Sequence, residues 1–270
     1  VTAPRARYFP FESGRYEVKP GLFKFGADFG NGAADQHVFQ HDDEFPGYRA
    51  AKLAARHERL SKYYRTHEYR PATAERVAQF VAGRLGVPVA DLDALACQAQ
   101  EDLAVIQRDG DRHWLAAIHL CFPNHWAAEE KIGRTFAEIH APVAGIESIN
   151  RQADRLVDAM IHATDGLVRF AWGMATDDRL NHHPDNTDPG RHFDPANPRA
   201  FVRVERQTIW GLPEVNAALF TIRTYFEDVA TLDRDRRAQL TAAIESMSPA
   251  SLAYKGLTLW REDLLAWLRA

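Results

Sequence analysis

The segment from Asp102 to Phe122 constrains the fold most. Leu-Ala-Val-Ile-Gln runs into Arg-Asp-Gly-Asp and leaves through Trp-Leu-Ala-Ala-Ile-His-Leu-Cys-Phe, which reads as strand, turn, strand. Asp109-Gly110 supplies the positive backbone angles that a tight hairpin turn needs. On the second strand a period of two places Trp114, Ala116, Ile118, Leu120 and Phe122 on one face, with Leu115, Ala117, His119 and Cys121 on the other. Both faces are apolar enough to be covered, so the hairpin belongs inside a sheet. After Pro123 the pattern turns helical. Ile132, Phe136 and Ile139 align on a segment from about Ala127 to Pro142, with His140 at the border of that face. A second amphipathic helix aligns Ile149, Ala153, Leu156, Val157 and Met160, and leaves Asp154, Asp158 and His162 facing elsewhere. Three more strands are predicted at Leu167 to Met174, Phe201 to Trp210 and Ala217 to Phe226. Between the first two, Asn181 to Pro198 is dense in Asn, Asp, Pro and His and reads as a long surface loop.

This order, hairpin then helices then three antiparallel strands, predicts an α+β fold. It resembles a PAS domain, in which a helical segment crosses one face of a five-stranded antiparallel sheet and leaves a pocket between. Residues 1 to 47 read as an irregular arm anchored by Tyr8, Phe9 and Phe11. Helices interrupted near Pro71 follow from Tyr48 to Gly86, and helices return from Arg236 onward. The expected organisation is one structural unit: an arm and helical preface over 1–100, a PAS-like core over 101–230, and C-terminal helices over 231–270. With 46% apolar residues a chain of this length buries a substantial core. A net charge of -4 with 26% charged residues gives no one-signed field, which argues against nucleic acid and anionic membranes as partners. Cys97 and Cys121 form no C-x-x-C, so a disulfide framework and a structural zinc site are both excluded. The first ten residues lack an apolar signal core and no stretch of about 18 apolar residues occurs, so a cytoplasmic location without a membrane span is expected.

Several blocks carry a more specific resemblance. They are Tyr8-Phe-Pro-Phe, Gln100-Glu-Asp-Leu, the run from Cys121 to Arg134, Ile139-His-Ala-Pro-Val, Arg203-Val-Glu-Arg-Gln-Thr and Phe220-Thr-Ile-Arg-Thr-Tyr. In this order they resemble the haem-binding alpha subunit of the haem-dependent oxidative N-demethylases of the dimethylamine monooxygenase type. The resemblance implies haem b in a PAS-like pocket and a small secondary amine over the iron. It also implies monooxygenase cleavage of an N-methyl group to formaldehyde with dioxygen. It further implies NADPH, FMN and a 2Fe-2S cluster on partner reductase subunits, because this chain has no cysteine set for an iron-sulfur cluster and no Gly-rich dinucleotide fingerprint. Without Cys-x-x-Cys-His the haem would be held noncovalently. Ala144, Ala171 and Trp210-Gly211 depart from the family pattern and bear on which amine is taken. The alternative is a haem-PAS gas sensor, or a ligand-binding module without catalysis, although no output domain accompanies it in this sequence.

Iron ligation needs a neutral imidazole at an apolar wall. His140 is the first candidate, with His125 and His119 as alternatives; helix capping is the bland reading of His140. The strand from Val202 to Trp210 places Arg203, Glu205 and Gln207 on one face, and its neighbour places Thr221, Arg223 and Tyr225 on one face. A solvated charged face is the plain reading of such a pattern. A site for a secondary ammonium and polarised dioxygen needs a carboxylate, a guanidinium and a hydroxyl. Glu205 is assigned to the amine, Arg206 or Arg223 to the oxygen or a propionate, and Tyr225 to the hydroxyl. Arg203 and Trp172, with Gly173 beside it, are assigned to the cofactor pocket. His182, His183 and His192 lack a reliable metal-ligand spacing.

Overall fold

The computed structural model describes residues 5–188 and 190–270. An irregular arm holds a two-residue strand, β1 (Phe23–Lys24), and a 3-10 turn over Gly32–Gln36. Helix α1 (Phe45–Tyr63) passes directly into β2 (Tyr64–Thr66), and α2 (Pro71–Leu85) and α3 (Leu92–Ala96) follow. The predicted hairpin is β3 (Asp102–Asp109) with β4 (Arg112–His119). Four short helices come next: α4 (Ala128–Lys131), α5 (Phe136–His140), α6 (Glu147–Asn150) and α7 (Ala153–Ile161). Strands β5 (Leu167–Ala175), β6 (Phe201–Leu212) and β7 (Ala217–Asp228) precede α8 (Arg234–Glu245), α9 (Pro249–Tyr254) and α10 (Arg261–Arg269). Among the described residues no helix is long and apolar enough to cross a membrane.

Helix boundaries follow local chemistry. Pro71 opens α2 at a position where its missing N–H costs nothing, and Gly86 closes it at φ +69°. The single helix expected from Ala127 to Pro142 is instead two. Gly133, at φ +77°, turns the chain out of α4, and Thr135 restarts it with a capping box to Glu138.

The sheet is antiparallel and has seven strands in the order β1-β5-β6-β7-β3-β4-β2, two more than the five expected. The additions β1 and β2 are two and three residues long, too short to leave a hydrophobic period in the sequence. A second correction concerns the hairpin faces. Val105 pairs with Ala117 but Ile106 pairs with Leu115, so Ala116 is an extra residue in a bulge. The bulge shifts the alternation by one, and Leu115 joins Ile118 in one apolar cluster rather than facing away from it.

One side of the sheet packs on the arm, α2, α3 and α8–α10. Trp172, Val204 and Tyr225 meet Phe11, Leu240 and Leu264 there, while Leu103, Val105 and Leu219 meet Val77 and Leu95. The other side carries Ile106, Leu115, Ile118 and Ile209 against Val157, Met160 and Ile161 of α7. A full apolar contact would bury each such side chain for about 1.5–3 kcal/mol. On this second side the short helices stand off the sheet toward β5, and a cavity opens.

Candidate functional site in the sheet–helix cavity

The cavity continues past the edge of β5 to the arm around Tyr8, Phe9 and Phe29, and in all has a volume of about 1390 Å³. Its floor is the face of β5–β7 that carries Arg169, Ala171, Gly173, Glu205, Gln207, Ile209, Phe220 and Ile222. Its roof comes from Trp126, Phe136, Ile139, His140, Val143 and Ile149 of the helical segment, and Tyr16, Tyr254 and Lys255 close one end. Ordinary small-molecule pockets occupy roughly 300–1,000 Å³, so the connected space is of the size that takes a large ligand.

His140 ends α5 and borders this space. Its Nδ1 lies 2.8 Å from the Phe136 carbonyl oxygen, and the two rings are 4.2 Å apart. A carbonyl only accepts, so Nδ1 carries the proton and Nε2 keeps its lone pair. Burial pushes the imidazole below its ordinary pKa despite that hydrogen bond, which keeps it neutral near pH 7. A neutral ring fixed through one nitrogen and free at the other is the arrangement a metal-ligating histidine needs. The alternatives are placed differently. His125 lines the cavity at φ +62° with its ring stacked on His182 at 5.2 Å, and burial, aided by Arg191, depresses it to about 3. His119 lies outside the cavity lining, where its Nε2 is 3.0 Å from Asp93 and its Nδ1 is 3.8 Å from the Cys121 sulfur.

Glu205 stands on the floor. Its Oε2 accepts from Gln207 Nε2 at 3.1 Å, and Gln207 Oε1 in turn accepts from Arg169 Nη1 at 3.1 Å. Among the described sheet residues that line the cavity, Glu205 is the only carboxylate. Arg203 is 1% exposed and its Nε approaches Glu205 Oε1 at 3.9 Å. Its terminal nitrogens are already committed, donating to the carbonyls of Leu180 at 3.1 Å and Phe122 at 2.7 Å and to His182 Nδ1 at 3.2 Å. Trp172 lines the cavity edge, packed on Phe11 and Tyr16.

Arg206, Arg223 and Tyr225 are not brought to Glu205. Register pairs Glu205 with Thr224 and Arg206 with Arg223, so the two arginines share the opposite face of the sheet. There Arg206 donates to the His37 carbonyl at 3.0 Å, Arg223 pairs with Asp42, and the Tyr225 hydroxyl donates to Gln40. The arm covers all three. The loop histidines do not converge on one point either. His182 Nε2 meets Asp177 at 2.8 Å, whereas His183 Nδ1 accepts from the Asp185 N–H at 3.1 Å, and His192 is exposed. Glu129 and Asp185 lie near His183 with metal-compatible spacing, yet that accepted N–H puts the ring proton on Nε2 and leaves no lone pair for an ion.

The residues present fit a haem. One imidazole with a free Nε2 sits in an apolar roof, and Arg169, Arg191 and Arg203 at the wall each keep a buried Nε with no hydrogen-bond partner among the described residues, the terminal nitrogens of Arg203 being already committed. Unpartnered guanidinium donors are costly unless an acceptor arrives, and carboxylate side arms are the natural acceptors. Arg169, Arg191 and Lys255 were not recognised from sequence, and Gln207 was placed on the Glu205 face without a role. Arg169 had a faint signal, a lone charge between Leu167 and the small Ala171 and Gly173 on one strand face. Arg191 and Lys255 reach the cavity from a loop and the end of a helix, where no period exists to read. The family model for the haem-dependent oxidative N-demethylase, alpha subunit-like proteins matches residues 57–265, and the chain belongs to that family.

Proposed function

We propose that this chain is the haem-carrying, oxygen-activating subunit of an oxidative N-demethylase acting on a small secondary amine of the dimethylamine kind. The observation that carries the reading is the pairing, in one cavity, of a neutral His140 with a free Nε2 and a lone floor carboxylate, Glu205. Five central strands in the order β4-β3-β7-β6-β5, with α4–α7 between the second and third in sequence, support a PAS-like scaffold with haem between sheet and helices. Haem held noncovalently there supplies the redox centre at which dioxygen is activated. His140 would ligate it, and Arg169 and Arg191 would take its carboxylates.

The chain's own residues do the rest. A secondary amine enters as a cation, and its desolvation costs several kcal/mol unless a fixed carboxylate offsets it. Glu205, oriented by Gln207, provides that counter-charge and orients an N-methyl group. Overall, one N–C bond breaks and the methyl carbon leaves as formaldehyde. The nitrogen leaves as the primary amine, and the second oxygen atom leaves as water with two electrons and two protons from outside. Those electrons would come from NADPH through partner subunits bearing FMN and a 2Fe-2S cluster. The test is an absorption spectrum of haem-supplied protein, followed by formaldehyde release from dimethylamine with an electron donor. No Soret band would end the proposal, and a stable dioxygen complex without amine turnover would leave a binding module instead.

A further inference from the structure

The proposed demethylation gives no task to Lys255. This residue follows α9, and its Nζ donates to the Trp172 carbonyl at 2.7 Å, its one hydrogen bond among the described residues. An ammonium has three donors, so most of its capacity is unspent on the protein. Its surroundings come from five elements. Glu205 of β6 attracts it, Arg169 of β5 and Arg191 of the long loop repel it, and the rings of Tyr16 in the arm and Tyr254 in α9 lie 5.8 and 5.5 Å from Nζ. Gly173 leaves the floor beneath it bare, since a Cβ there would lie 3.9 Å from Nζ.

We infer that Lys255 is a carbonyl-reactive residue that captures a small aldehyde inside this cavity as a Schiff base. The neutral Nζ lone pair attacks the carbonyl carbon, a C–N bond forms, and the oxygen takes up the nitrogen's proton to give a carbinolamine. The hydroxyl then leaves as water, and Glu205, in the same cavity, is the acid–base group placed to carry the proton. The balance is one amine and one aldehyde giving one imine and one water, with no oxidant or reductant. Burial holds Lys255 down to about 8 although Glu205 opposes it, with Arg169 and Arg191 adding to the fall, so the nucleophilic form is available near neutrality. The inference rests on the proposed reaction only for the aldehyde's source, formaldehyde.

The test supplies formaldehyde directly to the haem-loaded chain, in limiting amount, with cyanoborohydride to reduce any imine to a methylamine. Peptide mass spectrometry then follows Lys19, Lys24, Lys52, Lys62, Lys131 and Lys255. At pH 8 the neutral fraction of an ordinary lysine of pKa about 10.4 is roughly 100-fold below that of one titrating at 8, so Lys255 is expected to be labelled at least about tenfold faster than exposed Lys19 and Lys24. Its rate should climb with pH to about 8 and then level off, and Lys255→Arg should remove the fast site alone. Labelling in order of exposure, or Lys131 labelled ahead of Lys255, would overturn the inference. A parallel run with dimethylamine and an electron donor in place of formaldehyde separates the two readings. Label with added formaldehyde but none from the amine sinks the demethylation and leaves Lys255 assigned.

Discussion

Asp42 Oδ2 lies 2.9 Å from Arg223 Nη2 beneath the sheet, with side chains 5% and 0% exposed. Gln100 Nε2 also donates to Asp42, at 2.9 Å, and the Tyr48 ring covers the guanidinium at 4.0 Å. The pair fastens the arm to the side of β7 that faces away from the cavity.

Breaking this pair should therefore cost stability and spare chemistry. Asp42→Asn is expected to lower unfolding free energy by about 3–5 kcal/mol, as when one partner of a buried ion pair is removed. Urea denaturation checks this, with bound haem per folded chain unchanged. A variant of native stability and lost amine turnover would return Arg223 to the reaction.

His140→Ala should give a folded protein that retains at least about tenfold less haem, with the spectrum restored by added imidazole. His125→Ala and His119→Ala serve as comparisons. Native haem content in His140→Ala, with loss in either of the others, would move the ligand.

For Glu205→Gln the expectation is unchanged haem content and amine affinity weakened by roughly 1.5–3 kcal/mol, the worth of a lost charged hydrogen bond. Titrating dimethylamine against the haem spectrum measures it. Equal affinity in the variant would remove Glu205 from the amine site.

The sheet–helix seam gives a steric prediction. A Cβ on Gly211 would come within 2.3 Å of the Ile161 carbonyl oxygen, a backbone atom at the end of α7 that cannot swing aside. Gly211→Ala should destabilise by about 1–3 kcal/mol through overpacking, read by thermal or urea unfolding. A neutral result would mean that α7 does not dock on β6 this closely.

Acid should loosen the long loop. Burial alone would raise the Asp177 carboxyl, but hydrogen bonds from Arg179 and His182 outweigh it and draw it down to about 2. A depressed carboxyl stabilises the folded state above its unfolded value near 3.9, and that contribution is lost as pH falls toward 2. Asp177→Asn should flatten this part of the stability curve, by about 1 kcal/mol or less, because solvent screens this partly exposed carboxylate. An unchanged slope between pH 4 and 2 would show that the ion pairs are not formed.

The sequence made the hairpin, the three later strands and the Asn181–Pro198 loop readable because each has a strong period or a dense turn composition. It did not reveal the Ala116 bulge, since one extra residue in a wholly apolar strand changes nothing in the pattern. The candidate site divided in the same way. The period of two already separates Glu205 from Arg206, but it cannot say which face of β7 meets which face of β6. Only the pairing of Glu205 with Thr224 settles that, and it sends Arg223 and Tyr225 to the covered side. Lys255 lies 50 residues from Glu205 in the chain, and no local rule connects them.

Strand β6 thus has a working side and a load-carrying side, interleaved residue by residue. From Glu205 to Trp210 the odd positions look into the cavity, while the even ones, Arg206, Thr208 and Trp210, are sealed against the arm, β7 and α2. Changes of substrate preference are free to accumulate at Glu205 and Gln207 without endangering the fold, whereas Ile209 also packs on α7. At even numbers the same chemical changes would decide whether there is a folded chain to select.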